Sequence, residues 1–308
     1  MMNRKPIVVV GSINMDLVAR AERIPVIGET VQGSEFQTHP GGKGANQAVA
    51  VSRLGYPVSM IGKLGTDAFG AELRQHLRKS GIDVSAVGTA EISSGVAVIL
   101  VSPTGDNVIV VTPGANASLS PADVDANLER IRAAGLVLTQ LEIPIQTVEH
   151  LANVCAREGV PLMLDPAPAR DLPATITHHT RWFTPNETEA AFFSASDRSS
   201  PPEEIARMLL AKGPDAVALK LGSRGVYLAD RNGLNRQIDA FAVRAVDTTA
   251  AGDAFNGAFA TALMLGNDPA ESARFAAAAA AVSVTRPGAQ PSMPTMAEVQ
   301  QMLDGKCA

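Results

Sequence analysis

The chemistry-bearing residues fall in a few short stretches. In Asp247-Thr248-Thr249-Ala250-Ala251-Gly252-Asp253, two carboxylates flank a run of small residues. A strand is expected over 241–246 and a helix over about 252–265, on which Phe255, Phe259 and Leu263 make a buried stripe. Small residues in the first helical turn leave backbone N–H groups open to close approach. With the positive end of the helix dipole, these favour an anion such as a phosphate. Asp253 places a carboxylate beside that anion site; a turn residue and a first-turn capping acid account for the pair equally well. Further upstream, Gly41-Gly42-Lys43-Gly44-Ala45-Asn46-Gln47 puts three glycines ahead of a helix expected over 46–54, with Lys43 and Asn46 as donors. It is neither a Walker A loop nor a dinucleotide fingerprint, and a structural turn is its rival. Asn14 and Asp16, two apart after the strand expected over 7–11, share a face and point together at a polar ligand or into solvent.

Positioning these residues requires a scaffold. Short apolar runs over 7–11, 58–62, 136–141, 161–164, 182–184 and 216–220 alternate with amphipathic segments over 67–80, 147–158 and 203–212. That rhythm, with polar residues at the strand ends, implies an α/β fold: a doubly wound, mostly parallel sheet flanked by helices. Ligands of such sheets bind at the carboxyl ends of the strands. Segment 26–38 reads as irregular. Strands over 95–102 and 107–112, joined through Pro103-Thr104-Gly105-Asp106, form a hairpin that is apolar on both faces, so its second face must meet a ligand or another subunit. An alanine-rich helix over 275–284 leads into Arg286-Pro287-Gly288-Ala289-Gln290-Pro291-Ser292. One α/β body over 1–308 is expected, carrying a small β lid from segments of about 13–39 and 94–112.

Composition narrows the function classes. The chain has 308 residues and a net charge of −5 without a basic block, which argues against nucleic acid as a partner. Cys155 and Cys307 are far apart and fit a reducing cytoplasm rather than a disulfide framework or metal knot. No apolar run is long enough for a membrane span, and the amino-terminal run is too short for a signal peptide. His178-His179 reads as a solvated pair, His39 as a residue near the glycine loop, and Trp182 as core.

Taken together, Gly41-Gly42-Lys43-Gly44-Ala45-Asn46-Gln47, Asn186-Glu187-Thr188-Glu189 and the Asp247–Asp253 stretch resemble the ribokinase family of carbohydrate kinases in order and approximate spacing. The resemblance spans essentially the whole chain. It implies an ATP-dependent kinase that phosphorylates the 5-hydroxyl of D-ribose by direct in-line transfer. The alternatives are a kinase for 2-deoxyribose, fructose or a nucleoside, or a non-catalytic sugar-binding regulator. By resemblance, Asp253 is the base, and Ala250, Ala251 and Gly252 form the anion hole. Asn14, Asp16, Gly42, Lys43, Asn46 and Glu142 hold the sugar. The same resemblance assigns ATP contacts to Asn186, Lys220, Leu221, Gly222, Ser223, Arg224, Gly225, Gly252 and Ala277. Glu189 organises magnesium through water, and Asp247, Thr249, Ser283, Arg286, Gly288 and Ser292 hold potassium. A homodimer through the lid is implied as well. Ala277, Lys220 and Phe192-Phe193-Ser194 depart from the family pattern on the nucleotide side.

Overall fold

The computed structural model of the protein describes residues 4–104, 106–197 and 199–306. Gly105 of the expected hairpin turn, Cys307 and the first three residues lie outside them. The strands are β1 (Ile7–Val10), β2 (Asn14–Ala21), β3 (Gly33–Gly41), β4 (Val58–Gly65), β5 (Val87–Ala90), β6 (Gly95–Val101), β7 (Asn107–Thr112), β8 (Leu136–Thr139), β9 (Leu162–Leu164), β10 (Trp182–Phe183), β11 (Ala216–Lys220), β12 (Val226–Asp230) and β13 (Asn235–Ile238). The helices are α1 (Lys43–Arg53), α2 (Ala68–Lys79), α3 (Pro121–Asp125), α4 (Leu128–Ala133), α5 (Ile145–Glu158), α6 (Ala174–His178), α7 (Glu187–Ser194), α8 (Pro202–Leu210), α9 (Ala251–Met264), α10 (Pro269–Ser283) and α11 (Met296–Leu303).

Nine strands form one sheet in the order β13-β12-β11-β10-β9-β8-β1-β4-β5. All neighbours run parallel except β11–β12 and β12–β13. The β1 sequence Ile-Val-Val-Val is wholly buried because each face meets its own layer. Ile7 and Val9 join a core with α1, α2, α9, α10 and α11. Val8 and Val10 point the other way, into a core with α3 to α8. Of the stripe expected on α9, Phe255 and Phe259 are buried and Leu263 is partly so; the Phe259 ring meets that of Trp182 on β10 edge-on at 4.9 Å. Truncating Phe259 to alanine would cost about 3–5 kcal/mol and loosen the helix that carries Asp253.

The second sheet, β3-β2-β6-β7, rises from the end of β1. Here the expectation of an irregular 26–38 segment is corrected, since β3 pairs with β2 from Gly33 onward. Nearly all of β3 is exposed on both faces, so no apolar alternation marks it in the sequence. The apolar surplus of β6 and β7 lies open, with Val98, Val108, Ile109, Val110 and Val111 all more than 40% exposed. A second correction concerns 241–246, which is no strand. After β13, the edge strand, the chain leaves the sheet, and the N–H groups of Val246 and Asp247 donate to the carbonyl of Val284 at the end of α10. No described helix is long and apolar enough to cross a membrane.

Candidate active site

The carboxyl ends of β1, β8, β9 and β11 deliver polar residues to one place, beneath the amino terminus of α9. This end of α9 is built by a backbone reversal in which Ala250 takes a left-handed conformation (φ 58°). The N–H of Ala251 is already engaged, by the Thr248 carbonyl at 3.2 Å. Those of Ala250, Gly252 and Asp253 have no acceptor among the described residues. Of the expected trio Ala250, Ala251 and Gly252, the outer two N–H groups are open and the middle one is engaged, while the Asp253 N–H is open as well.

Asp253 is buried, with both oxygens occupied. Oδ2 accepts from Asn46 Nδ2 and Oδ1 from Gln47 Nε2, each at 3.0 Å. Burial raises its pKa to about 6; Asp165 adds to that, while Lys43 and the two amides oppose it. Gln47 has a second proton, which goes to Asp165 Oδ2 at 2.9 Å, and its own carbonyl accepts from Gln140 at 2.7 Å. Asp165 in turn pairs through Oδ1 with Lys220 Nζ at 3.0 Å. A buried line of contacts thus runs from the end of β11 to the first turn of α9.

Lys43, Asn14, Asp16, Gly42 and Glu142 surround the other side of Asp253. Gly42 opens α1 at φ 89°, and a Cβ there would lie 2.7 Å from the Asn14 nitrogen, so only glycine fits. Glu142 accepts from Ser12 Oγ at 2.6 Å and from the Lys43 N–H at 3.1 Å. Asn14 is held by Asn116, which donates to its Oδ1 at 2.7 Å. Burial, then Glu142 and Asp253, push the Asp16 carboxyl up to about 7. Burial opposes the charge on Lys43, yet Asp253, Asp165, Glu142 and Glu189 together hold its ammonium above the ordinary lysine range. The side chains gathered here are acceptors, amides and one ammonium, fixed by their neighbours, a set whose chemistry suits a polyhydroxylated ligand.

A cavity of about 830 Å³ opens from Lys43 and Asp253 past Asp165, Asn186, Glu189, Lys220 and Gly252. Gly222, Ser223 and Gly225 line it further out, and Phe241, Val243, Ala277 and Ala281 supply an apolar end. Leu221 and Arg224 do not line it. The Leu221 side chain is buried in the core, and Arg224 turns out to pair with Glu187 at 2.5 Å. Asn186 caps α7 and exchanges hydrogen bonds with Glu189, whose Oε2 accepts the Asn186 N–H and whose Oε1 accepts its Nδ2. Burial raises the Glu189 pKa, and Asp165 adds to it while Lys220 and Lys43 oppose it.

Residues 4–296 match the profile of the pfkB family carbohydrate kinases. The chain belongs to that family. A ribokinase of Schizosaccharomyces pombe is 43% identical over 305 residues, covering 95% of this chain and 96% of its own. One from Bacillus subtilis is 41% identical over 300 residues, covering 96% and 99%. The structure of Arabidopsis thaliana ribokinase complexed with ribose and ATP matches with a TM-score of 0.91 at 36% identity, covering 97% of this chain and 98% of the other.

The carbohydrate kinase also brings its two remote polar segments together. Asp247 Oδ1 accepts from the Thr249 N–H and hydroxyl, and Oδ2 from the Gly288 N–H at 2.8 Å. Although burial opposes it, this bonding holds the Asp247 carboxyl below its usual range. The carbonyls of Asp247, Thr249, Arg286 and Gly288 accept no hydrogen bond among the described residues. Ser283 and Ser292 spend their hydroxyls on Ala280 and Ala289, and Arg286 pairs with Glu298 at 2.6 Å. Gln290, on the same segment, donates to Asn46 Oδ1 at 3.0 Å and accepts from His76 at 2.8 Å.

Sequence reasoning missed Ser12, Gln47, Asn116, Asp165 and Gln290 as site residues. Gln47 and Asp165 carried a usable signal, one ending the glycine motif and the other closing a buried strand. Asn116 and Gln290 carried none, because only the fold brings them to Asn14 and Asn46. His39 contacts Gln37 on the exposed β3, and His178 bonds its own helix at Ala174.

Proposed function

We propose that this carbohydrate kinase transfers the γ-phosphoryl group of ATP to the 5-hydroxyl of D-ribose, giving D-ribose 5-phosphate and ADP. The observation that carries the reading is the position of Asp253. Its buried carboxylate stands at the head of α9, between a hydroxyl-reading pocket and a nucleotide-sized cavity, among N–H groups without acceptors. Relatives named ribokinase at 41–43% identity over nearly their full length support the choice of sugar.

Ribose lies among Asn14, Asp16, Gly42, Lys43, Asn46 and Glu142, with its 5-hydroxyl against Asp253. The hydroxyl oxygen forms a bond to the γ-phosphorus as the bond to the β,γ-bridging oxygen breaks. The electron pair leaves on ADP and the hydroxyl proton passes to Asp253. Such a loose transition state needs alignment and charge neutralisation more than a strong base, and a carboxyl near 6 is ionised at neutral pH. The open amides at Ala250, Gly252 and Asp253 receive the γ-phosphate oxygens. Asn186, Lys220 and Gly222 to Gly225 follow the rest of the nucleotide, and Ala277 and Phe241 meet its base.

Magnesium bound with ATP would supply charge neutralisation at the phosphates, and Glu189 is the residue that would hold it, through water. Both Glu189 oxygens are already bonded to Asn186, so this carboxylate suits a metal-bound water rather than the ion itself. A potassium ion suits the loop at Asp247, Thr249, Arg286 and Gly288, where neutral carbonyls lack donors and one carboxylate is firmly ionised. It would hold the reversal at Ala250 in shape. The four-stranded sheet is read as a lid over the sugar. Its open β6–β7 surface is read as the contact of a homodimer, and the enzyme as cytoplasmic. ADP release measured over D-ribose, 2-deoxyribose, fructose and nucleosides tests the proposal. Ribose should give the highest kcat/KM; a higher value for any other acceptor overturns it.

A further inference from the structure

Lys220 ends β11 and reaches into the cavity with only 13% of its side chain exposed. One of its three ammonium protons is used, by Asp165 Oδ1 at 3.0 Å. The other two have no acceptor among the described residues. Their location is fixed by the helix head: a Cβ built on Gly252 would lie 3.4 Å from Lys220 Nζ. The cation therefore stands beside the open amide of Gly252, on the cavity side of α9. Charge points the same way. The inner cavity holds Lys43 and Lys220 against Asp165, Glu189 and Asp253, so two cations face three carboxylates before a polyanionic nucleotide arrives. Beside the open amides, these two ammonium groups are the cations the cavity itself can turn toward a triphosphate.

We infer that Lys220 is a catalytic residue whose ammonium contacts the γ-phosphate oxygens and offsets the charge of the transferring group, and that Asp165 is its positioning residue. This rests on the kinase reading above and goes beyond a nucleotide contact of the β11 turn. Asp165 holds Lys220 with one oxygen and takes the Gln47 amide with the other, while Gln47 also donates to Asp253. Phosphate cation and sugar base are thereby set in register through one buried amide. The ammonium keeps two protons for phosphate, so it need not leave Asp165 to act.

The test compares Lys220→Met, Lys220→Arg and the double variant Lys220→Met/Asp165→Asn. Removing one donor to a developing oxyanion costs about 10²–10³ in rate, so Lys220→Met should lower kcat by at least about 10². It should weaken binding of the β,γ-imido analogue of ATP by about tenfold or more while ADP binding changes by less than about twofold. Lys220→Arg should restore most of the rate. The double variant separates a missing phosphate cation from a stranded Asp165 charge: kcat should stay low although no buried carboxylate is left unpaired. Recovery of kcat in the double variant overturns the inference. So does an equal loss of ADP and analogue affinity, or a kcat unchanged in Lys220→Met. The nucleotide titrations need no sugar, so a wild-type protein inactive on ribose refutes the sugar assignment while leaving Lys220 under test.

Discussion

Replacing Asp253 by asparagine tests the base while keeping its shape. Its effect on stability should be small because two terms oppose each other. With a folded pKa near 6 against 3.8 unfolded, the buried carboxyl favours its protonated form in the fold. Its penalty is absent below pH 3.8, grows up to about 6 and is complete above that. At pH 7 this amounts to about 3 kcal/mol, taking about 1.4 kcal/mol per unit, and asparagine removes it. Against that, the new NH₂ must face Asn46 Nδ2 or Gln47 Nε2, donors now 3.0 Å away. One lost bond with unsatisfied donors costs about 1–3 kcal/mol. The terms nearly cancel, so the melting temperature at pH 7 should move by only a few degrees, at about 1 kcal/mol for each few degrees. Catalysis has no such compensation. Loss of a general base costs about 10²–10⁴ in kcat, or about 3–5 kcal/mol of barrier. Single-turnover ADP formation, with calorimetry of ribose binding and a thermal melt, separates the terms. A kcat within about threefold of wild type refutes the role of Asp253, whatever the melt shows.

Three further outcomes follow from the same geometry. The kcat/KM for ribose should fall as pH drops from about 7 to 6, because Asp16 and then Asp253 take up protons there; in Asp16→Asn the fall should retain only the step near 6, read from a pH–rate profile. Gly42→Ala places a Cβ 2.7 Å from the Asn14 nitrogen in left-handed backbone, so it should raise the ribose KM by about tenfold or more and lower stability by about 1–2 kcal/mol, seen in kinetics and denaturant melts. Exchanging potassium for sodium should lower kcat, and Asp247→Ala should abolish the difference between the ions; equal rates in both salts would remove the cation site.

Much of the scaffold is legible in the sequence because β1, β8, β9 and β11 are apolar runs that end in glycine or polar residues, which only a doubly covered parallel sheet explains. The strand β3 is not legible, since with both faces in water its composition is that of a loop. Segment 241–246 misleads in the opposite sense: its apolar run, Phe-Ala-Val-Arg-Ala-Val, suits a strand, but the chain there pairs with the end of α10 instead of joining the sheet. In the site, residue type and local spacing mark Asp253, Asn14, Asp16 and Lys43 as candidates, while the roles expected of them come from the resemblance to the family. The partners that tune them do not. Asn46 meets Gln290, and Gln47 meets Asp165, across separations that no local pattern encodes. For the same reason the sequence marks Lys220 only as a nucleotide contact implied by resemblance, and its pairing with Asp165 beside Gly252 is visible only in the fold.

The central claim is phosphoryl transfer to the terminal hydroxyl of ribose with Asp253 as base. Its most direct measurement is phosphorus and carbon NMR of the product formed from ATP and D-ribose labelled at carbon 5. The account predicts a phosphate coupled to carbon 5, formed in equal amount to ADP by the wild-type protein and not formed on the same timescale by Asp253→Asn. A phosphate on another carbon, or equal yields from the two proteins, would contradict it.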